Sequence, residues 1–573
     1  MSASDPQDGR GSDVLSKGLK VGALGLAASV VMGIASTAPA YSLASALGGV
    51  VGTVGLQSPA IMVLAFVPMI LIAIGYRELN KAEPDCGTTF TWATRAFGHK
   101  TGWMGGWGII ASDVIVMANL AAIAGSYTFL LFNDQNSTVL QQTVVGVVWT
   151  LLMTYIAYRG IEVSARLQMA LLSIEVIMLV LFSVVALVKV YSGHGATVDG
   201  QSVSIHPSLS WFNPFQISGF GTLAAGLLLA TFIYWGWDTA VTANEETKDA
   251  HKTPGRAAVI STVLLLVTYA LVTVAAQAFA GVGDKGIGLG NPNNAGDVLS
   301  GLGTQVFGSS GLGAVLAKLL IFMVLTSSAA SAQTSILPTA RTMLSMAAFR
   351  ALPTSFARIH HRWLTPSVST WVMGGASIIF YVGMTKISSN VLTDTIGSLG
   401  LLIAFYYGLT GYACVWFYRK ALRNTTSDLL NKGVAPLLGA LGLTAMFVYG
   451  LGYYFNAANT TTSVTIFGTQ LGLISVIGVS TLVLGVVLMV LWRIFRPAFF
   501  RGETLDKRTS LDILGPVPVM AGALGLPDAP SQEGLVINPE LSGLSDSDLK
   551  GRVTEVDPAD YVTEDPEGNP VGE

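Results

Sequence analysis

Asp113, Glu175 and Asp238 each stand inside a long run of apolar residues, as do Lys318 and Asp394. A carboxyl group in such surroundings is costly to charge. It can therefore take up and release a proton or hold a cation, and within a membrane it marks a functional site by default. Covalent chemistry has no such support. None of the runs contains His, and two cysteines, Cys86 and Cys414, are too few for a disulfide framework or a thiolate metal site. His360-His361 has no further ligand nearby. Residues 281–286, GVGDKG, fit a dinucleotide fingerprint but follow an apolar helical run instead of a strand, and no Walker sequence is present. A membrane-embedded enzyme or an ATP-driven pump therefore has no basis here, and neither a cofactor nor a metal is expected.

The elements that position these residues are membrane spans. Of 573 residues, 31 are Lys or Arg and 34 are Asp or Glu, 11% of the chain, where a soluble domain carries roughly 25%. Mean hydropathy is +0.59. The net charge of −3 excludes a basic nucleic-acid binder. A spanning helix needs about 20 apolar residues. Twelve runs qualify, near 21–48, 56–76, 103–132, 141–158, 167–190, 218–243, 257–281, 310–337, 366–384, 391–418, 434–455 and 469–492. They lack the alternation of a membrane β-barrel. Lys and Arg gather before the first run (Arg10, Lys17, Lys20) and in the even-numbered links, and are nearly absent from the odd-numbered ones. By the positive-inside rule, this predicts a multi-pass cell-membrane protein with both termini cytoplasmic.

Two runs carry interruptions. The first reads VVMGIASTAPAYSLASALGG, with Ser36, Thr37 and Pro39 at mid-depth. Pro39 removes a backbone donor and clashes with the preceding turn. The sixth reads GLLLATFIYWGWDTAVTANEE, with Gly236 and Asp238 at mid-depth. Irregular backbone at that depth is tolerated only against protein or a watery cavity. Interruptions five helices apart, an odd offset, predict an inverted repeat of spans 1–5 and 6–10 with a site between the broken helices, leaving two C-terminal helices outside it.

Three segments then carry a resemblance: FIYWGWDTAVTANEETKDAHKTPGRAAV at the sixth span, TARTMLSMAAFRALPTSFARIHHRWLTPSVST after the eighth, and YRELNKAEPDCGTTFTWATRAFGHKTGWMGGW between the second and third. The chain resembles the amino acid–polyamine–organocation (APC) superfamily of permeases over about residues 18–493. The resemblance implies an all-α polytopic membrane protein of 12 transmembrane helices, with the 5+5 inverted repeat of the LeuT-like fold. It implies a transporter domain 18–493 after a cytoplasmic segment 1–17, whereas the remainder, 494–573, is rich in Pro, Gly, Asp and Glu and by that composition is expected to be an acidic, mostly disordered cytoplasmic tail. It also implies secondary transport of an amino acid or related amine by alternating access. A substrate carboxylate would meet Ala35, Ser36, Thr37 and Ala38, and the amine would meet carbonyls around Phe232, Ile233 and Trp235. Phe232 matches the position of an aromatic gate in relatives. Where many amino acid carriers read Gly-Ser-Gly, this chain reads Ile-Ala-Ser-Thr-Ala-Pro, which is similar to a subset that includes amine and polyamine carriers.

Glu175 aligns with a position at which some proton-coupled relatives carry a lysine in place of a sodium ion. This makes Glu175 the candidate proton carrier, the proton the expected coupling ion, and the hydroxyls of Thr326, Ser327 and Ser328 its neighbours at the first break. Gly236, Asp238 and Asp113 complete the candidate substrate site, the last two favouring a cation if they stay ionised. The partners expected are thus a small amino acid or amine, a proton and membrane lipid.

Overall fold

The computed structural model describes residues 17–508 except Gln135, Ala295 and residues 389–390. The expected N-terminal segment, Lys17 apart, and the expected tail beyond 508 lie outside the described residues. Seventeen α-helices follow in order: α1 Leu26–Thr37, α2 Pro39–Val54, α3 Ser58–Ala82, α4 Thr89–Phe97, α5 His99–Leu131, α6 Val139–Tyr158, α7 Ile161–Tyr191, α8 Gly219–Ile233, α9 Thr239–Thr242, α10 Thr253–Ala280, α11 Val298–Phe307, α12 Gly311–Ala348, α13 Ser367–Ile387, α14 Val391–Phe417, α15 Thr426–Asp428, α16 Ala435–Phe455 and α17 Leu473–Phe495. The chain is a mostly helical multi-pass membrane protein. This agrees with the expected helical fold, and among the described residues the links add a little strand. Two short antiparallel hairpins occur, β1 Thr197–Val198 with β2 Gln201–Ser202 and β3 Ser463–Ile466 with β4 Thr469–Gly472. They lie in links where the turns Asp199-Gly200 and Phe467-Gly468 supply positive φ. The last span accordingly begins at Leu473 and not near 469.

Among the described residues, ten segments are long and apolar enough to cross a membrane. The first, Leu26–Ala82, runs through α1, α2 and α3 over 57 residues, enough for two crossings. The sixth expected run supplies no unbroken helix of that length, because it divides into α8 and α9.

Local chemistry dictates both breaks. Pro39 occupies the first position of α2, where its missing N–H and fixed φ suit a helix start, and it drives the residue before it out of the right-handed helical region. Ala38 is left-handed, with φ 46 and ψ 71. At the second break Gly236 has φ +117, a conformation open to glycine and costly for other residues. Elsewhere, small residues bring helices together. A Cβ on Gly125 of α5 would overlap the Gln142 carbonyl of α6, and one on Gly146 of α6 would overlap the Ala121 carbonyl. Such close backbone approach is the usual way helices associate in lipid, where no hydrophobic force draws them together.

Helix α17 runs to Phe495, and residues 496–508 form a packed strap. Phe499 is buried against Phe90 and His99. The Thr504 hydroxyl donates to the Phe349 carbonyl at 2.6 Å, and Arg95 donates to the Asp506 carbonyl at 2.9 Å. His99 Nε2 meets the Leu505 carbonyl at 2.7 Å. The aromatic and leucine side chains of this short segment find apolar cover on α4 and the end of α12, which composition alone does not reveal.

Candidate functional site

The two breaks touch. A Cβ built on Gly236 would stand 2.9 Å from the carbonyl carbon and oxygen of Ser36 and 3.0 Å from the Thr37 nitrogen. The hydroxyls of Ser36 and Thr239 are 2.8 Å apart. Ser331 of α12 donates to the Ser36 carbonyl at 2.8 Å, tying a third helix to the same point. Ala35, Ser36, Thr37, Ala38, Phe232, Ile233, Trp235, Gly236 and Asp238 therefore gather in one buried region.

The donors and acceptors in that region differ from the expected pattern. Ala35, Ser36 and Thr37 form the last turn of α1, so their amides serve the helix and their exposed backbone groups are carbonyls. The free amides belong instead to the start of α2. Ala40 donates its N–H to Glu175 at 2.6 Å, and Tyr41 donates to the Ser327 hydroxyl at 3.4 Å. Ser327 itself donates to the same Glu175 oxygen at 2.9 Å. Glu175 thus stands as an anion-type cap on the second half of the broken helix. Of the three hydroxyls expected beside it, only that of Ser327 arrives. Thr326 bonds back to Phe322 and Met323, and Ser328 to Leu325, within their own helix. Of the three carbonyls expected to receive an amine, two already have donors. The Phe232 carbonyl accepts the Trp235 N–H at 3.0 Å, and the Ile233 carbonyl accepts the Tyr269 hydroxyl at 2.7 Å.

Asp238 receives the hydroxyls of Tyr406 at 3.1 Å and Tyr407 at 2.9 Å, both from α14. The Trp235 indole donates to the Tyr406 hydroxyl. Asp113 on α5 receives the Thr339 hydroxyl and lies near enough to Asp238 for their charges to interact. Sequence reasoning missed Tyr406, Tyr407, Tyr269 and Ser331. The adjacent tyrosines of the tenth run were the one available signal, since hydroxyls in apolar runs need partners. Lys318, by contrast, is exposed, and Asp394 is buried at the far end of α14, where Ser388 donates to it at 2.6 Å.

A cavity of about 1090 Å³ descends from one end of the bundle to Ser45, Gly49, Ala225 and Leu229. One helical turn deeper on each side stand Tyr41 and Phe232, packed edge to face with ring centroids 6.1 Å apart. Phe232 is 2% exposed, so this pair separates the cavity from the breaks. Of the cavity's lining side chains, Lys386 is the one that carries charge.

The opposite end is closed by charge. Lys17 donates to Asp85 at 2.9 Å and also to Glu245, and all three are buried. Burial alone would push the Asp85 carboxyl up, but the Lys17 charge and bonds from Lys17, Ser345 and Gly87 hold it below the usual carboxylate value. Burial would lower the Lys17 ammonium, yet the facing acids hold it well above its ordinary value. The sign follows from linkage. The contribution of Asp85 persists above the ordinary Asp value and is lost only as pH falls through its lower folded value. That of Lys17 is lost only as pH rises through its raised one. Asp85, Cys86 and Glu245 bring potential metal-ligand atoms within 4.8 Å of one another, but the cation that both carboxylates bind is the Lys17 ammonium. Beside it Arg341 pairs with Glu246, and Leu24 exchanges backbone bonds with Glu246 and Lys248 at 3.0 and 2.9 Å. The segment before α1 is thereby stitched to the exit of the second broken helix.

This closure has a built-in reporter, because Cys86 and Cys414 are both buried thiols and Cys86 donates its S–H to the Arg341 carbonyl at 3.4 Å. In a Cys414→Ser background, Lys17→Met is expected to raise the rate of maleimide modification at Cys86 by about tenfold, the equivalent of roughly 1.4 kcal/mol of opening. An unchanged rate would show that the ammonium does not hold this end shut.

The sequence profile described as "Amino acid permease" matches residues 21–479. The branched-chain amino acid permease BcaP of Bacillus subtilis (strain 168) is 24% identical over 59% of this chain and 70% of its own length. The low-affinity putrescine importer PlaP of Escherichia coli (strain K12) is 22% identical over 73% of this chain and 86% of its own. An uncharacterized transporter of Mycobacterium tuberculosis, Rv1999c, is 28% identical over 74% and 85% respectively.

Proposed function

Because the chain belongs to the amino acid permease family, we propose that it is a secondary active transporter that takes up an amino acid with a proton by alternating access. As a permease it is a carrier, not an enzyme. In this reading the chain crosses the membrane twelve times. Spans 1–5, which precede α8, and spans 6–10, which begin with it, form a 5+5 inverted repeat of the LeuT-like kind, and Lys17 lies on the cytoplasmic side. The substrate binds where the breaks meet, between Ser36-Thr37 and Phe232 to Asp238, reached from the cavity past Tyr41 and Phe232. Glu175 carries the proton.

The observation that supports this most is the bond that the Ala40 N–H donates to Glu175. A charged carboxylate is held by the N-terminus of α2 and by Ser327, whereas a protonated one gives up much of that attraction. Proton transfer at Glu175 therefore changes how firmly α2 is held beside the break. A cationic amine is the second reading. It is favoured by the two buried acids Asp113 and Asp238 near the site and by the putrescine importer among the relatives, and opposed by the Lys386 charge at the cavity mouth.

The test is uptake into liposomes from a panel of labelled amino acids and putrescine, with an imposed pH gradient and membrane potential. One proton driven by ~100 mV supplies about 2.3 kcal/mol, which is roughly forty- to fiftyfold accumulation of a neutral substrate. Glu175→Gln keeps the acceptor for Ala40 and loses the titration, so binding should survive while accumulation disappears. A Glu175→Gln protein that concentrates substrate as the unaltered one does would remove Glu175 from the mechanism.

A further inference from the structure

Helix α7 carries a further buried amide on the face that bears Glu175. Gln168 lies seven positions earlier, about 10 Å along the axis and on nearly the same side of the helix. Both Gln168 and Gln333 of α12 are 0% exposed. Gln168 Nε2 donates to the Gln333 side-chain oxygen at 2.6 Å and to the Ala330 carbonyl at 3.0 Å. This leaves one acceptor, Gln168 Oε1, and one donor, Gln333 Nε2, buried without a partner. Unsatisfied buried polar atoms are rare in native proteins, and a water that accepts from one and donates to the other is their usual remedy. The two amides are bonded to each other, so the orphan acceptor and the orphan donor belong to one buried pair of side chains, where water can serve each. The same two helices carry Glu175 and Ser327 one layer away. Gln168 is also seven residues from the start of α7 at Ile161, which places the pair midway between Glu175 and the end of the bundle that Lys17 closes.

We propose that Gln168 and Gln333 form a water-holding relay station through which the proton of Glu175 leaves toward the Lys17 end of the molecule. The proposal rests on Glu175 as the proton carrier. The Glu175 carboxyl gives its proton to water and becomes a carboxylate. The excess proton passes along hydrogen-bonded water, each molecule accepting one proton and releasing another, and emerges in bulk water. The amides stay neutral and only orient the water, accepting at Gln168 Oε1 and donating at Gln333 Nε2. They are positioning residues. Leu172 lies on the same face between Glu175 and Gln168 and is buried, so it interrupts the path while this end is shut. The helices packed against α7 are α1, α2, α6, α10, α11 and α12. Their charged side chains are Arg256, Lys318 and Arg341, of which Arg341 is paired with Glu246 and Lys318 is exposed. Of the nearby tyrosines, Tyr41 spends its hydroxyl on Asn119 and Tyr269 donates its own to the Ile233 carbonyl at 2.7 Å. No other carboxyl on these packed helices competes for the proton.

The experiment uses the full-length protein in liposomes loaded with a pH-sensitive dye, with substrate-driven proton entry and exchange of labelled for unlabelled substrate measured side by side. Exchange at equal pH needs no net proton release, since the carrier can return with proton and substrate still bound. Gln168→Leu and Gln333→Leu are each expected to slow proton entry by about tenfold while exchange stays within about twofold. If Leu at 168 yields no folded protein, Gln168→Met serves in its place. Equal loss of both activities would make the pair a brace between helices and overturn the proposal, as would unchanged proton entry. Glu175→Gln separates the two claims. If it abolishes proton entry while the Gln168 and Gln333 variants do not slow it, only the relay fails. If proton entry survives Glu175→Gln, the carrier assignment fails whatever the glutamines do.

Discussion

Gly236→Leu is expected to abolish substrate binding while leaving membrane insertion intact. Two costs combine. At φ +117 an L side chain is strained by ~1–3 kcal/mol. Its Cβ would also stand 2.9 Å from the Ser36 carbonyl carbon and oxygen, and these are backbone atoms that cannot rotate aside. The break must open to admit the side chain, and the rest of the leucine then occupies the junction of the two broken helices. Affinity measured by radioligand binding should fall by at least a hundredfold, about 2.7 kcal/mol. The variant should still elute as a monodisperse species in detergent. Gly236→Ala, with the same backbone strain and a single methyl, should fall between. Unaltered affinity in folded Gly236→Leu protein would place the substrate elsewhere.

The largest stability loss is expected at Arg341. Its ion pair with Glu246 is buried, with both side chains 1% exposed. Arg341→Met leaves a lone carboxylate in that interior, and breaking a buried pair from one side costs about 3–5 kcal/mol. Burial already pushes the Glu246 carboxyl up against the opposing pull of Arg341, so Glu246 would meet part of the loss by taking a proton. The damage should then be greater at pH 8 than at pH 5. Pairing Arg341→Met with Glu246→Gln should restore most of the stability, because the intact pair is itself imperfect. Arg341 Nη2 and Glu246 Oε1 both lack partners. Thermal unfolding of the purified variants tests this. A single variant as stable as the unaltered protein, or a double variant no better than the single, would contradict it.

The sequence was most legible where chemistry is local. Pro39 and Gly236 announce their breaks through the backbone conformations they permit, and apolar run length announces the helices. It was least legible where a partner is remote or a helix must be phased. Three successive hydroxyls at 326–328 point about 100° apart on a helix, so no more than one can face a given neighbour, and only packing decides that it is Ser327. Tyr269, Tyr406 and Tyr407 reach the second break from helices whose order in space no spacing rule provides. Lys17 could be counted as a charge near the membrane surface. Its burial between Asp85 and Glu245 depends on residues 68 and 228 positions away.

The strap after α17 sets an order of events during biosynthesis. Arg95 meets Glu83 only twelve positions away, at 2.6 Å, so that pair can form as soon as both residues leave the ribosome. The Asp506 carbonyl that completes its bonding is 411 positions further on. At ~5–20 residues per second this is a wait of roughly 20–80 s. Through that interval the nascent chain holds Arg95 and His99 without their final acceptors and Phe90 without the Phe499 ring. The end of the bundle closed by Lys17 is therefore the last part of the carrier to set, and a ribosome that stalls before residue 504 leaves every span made and that end unlatched.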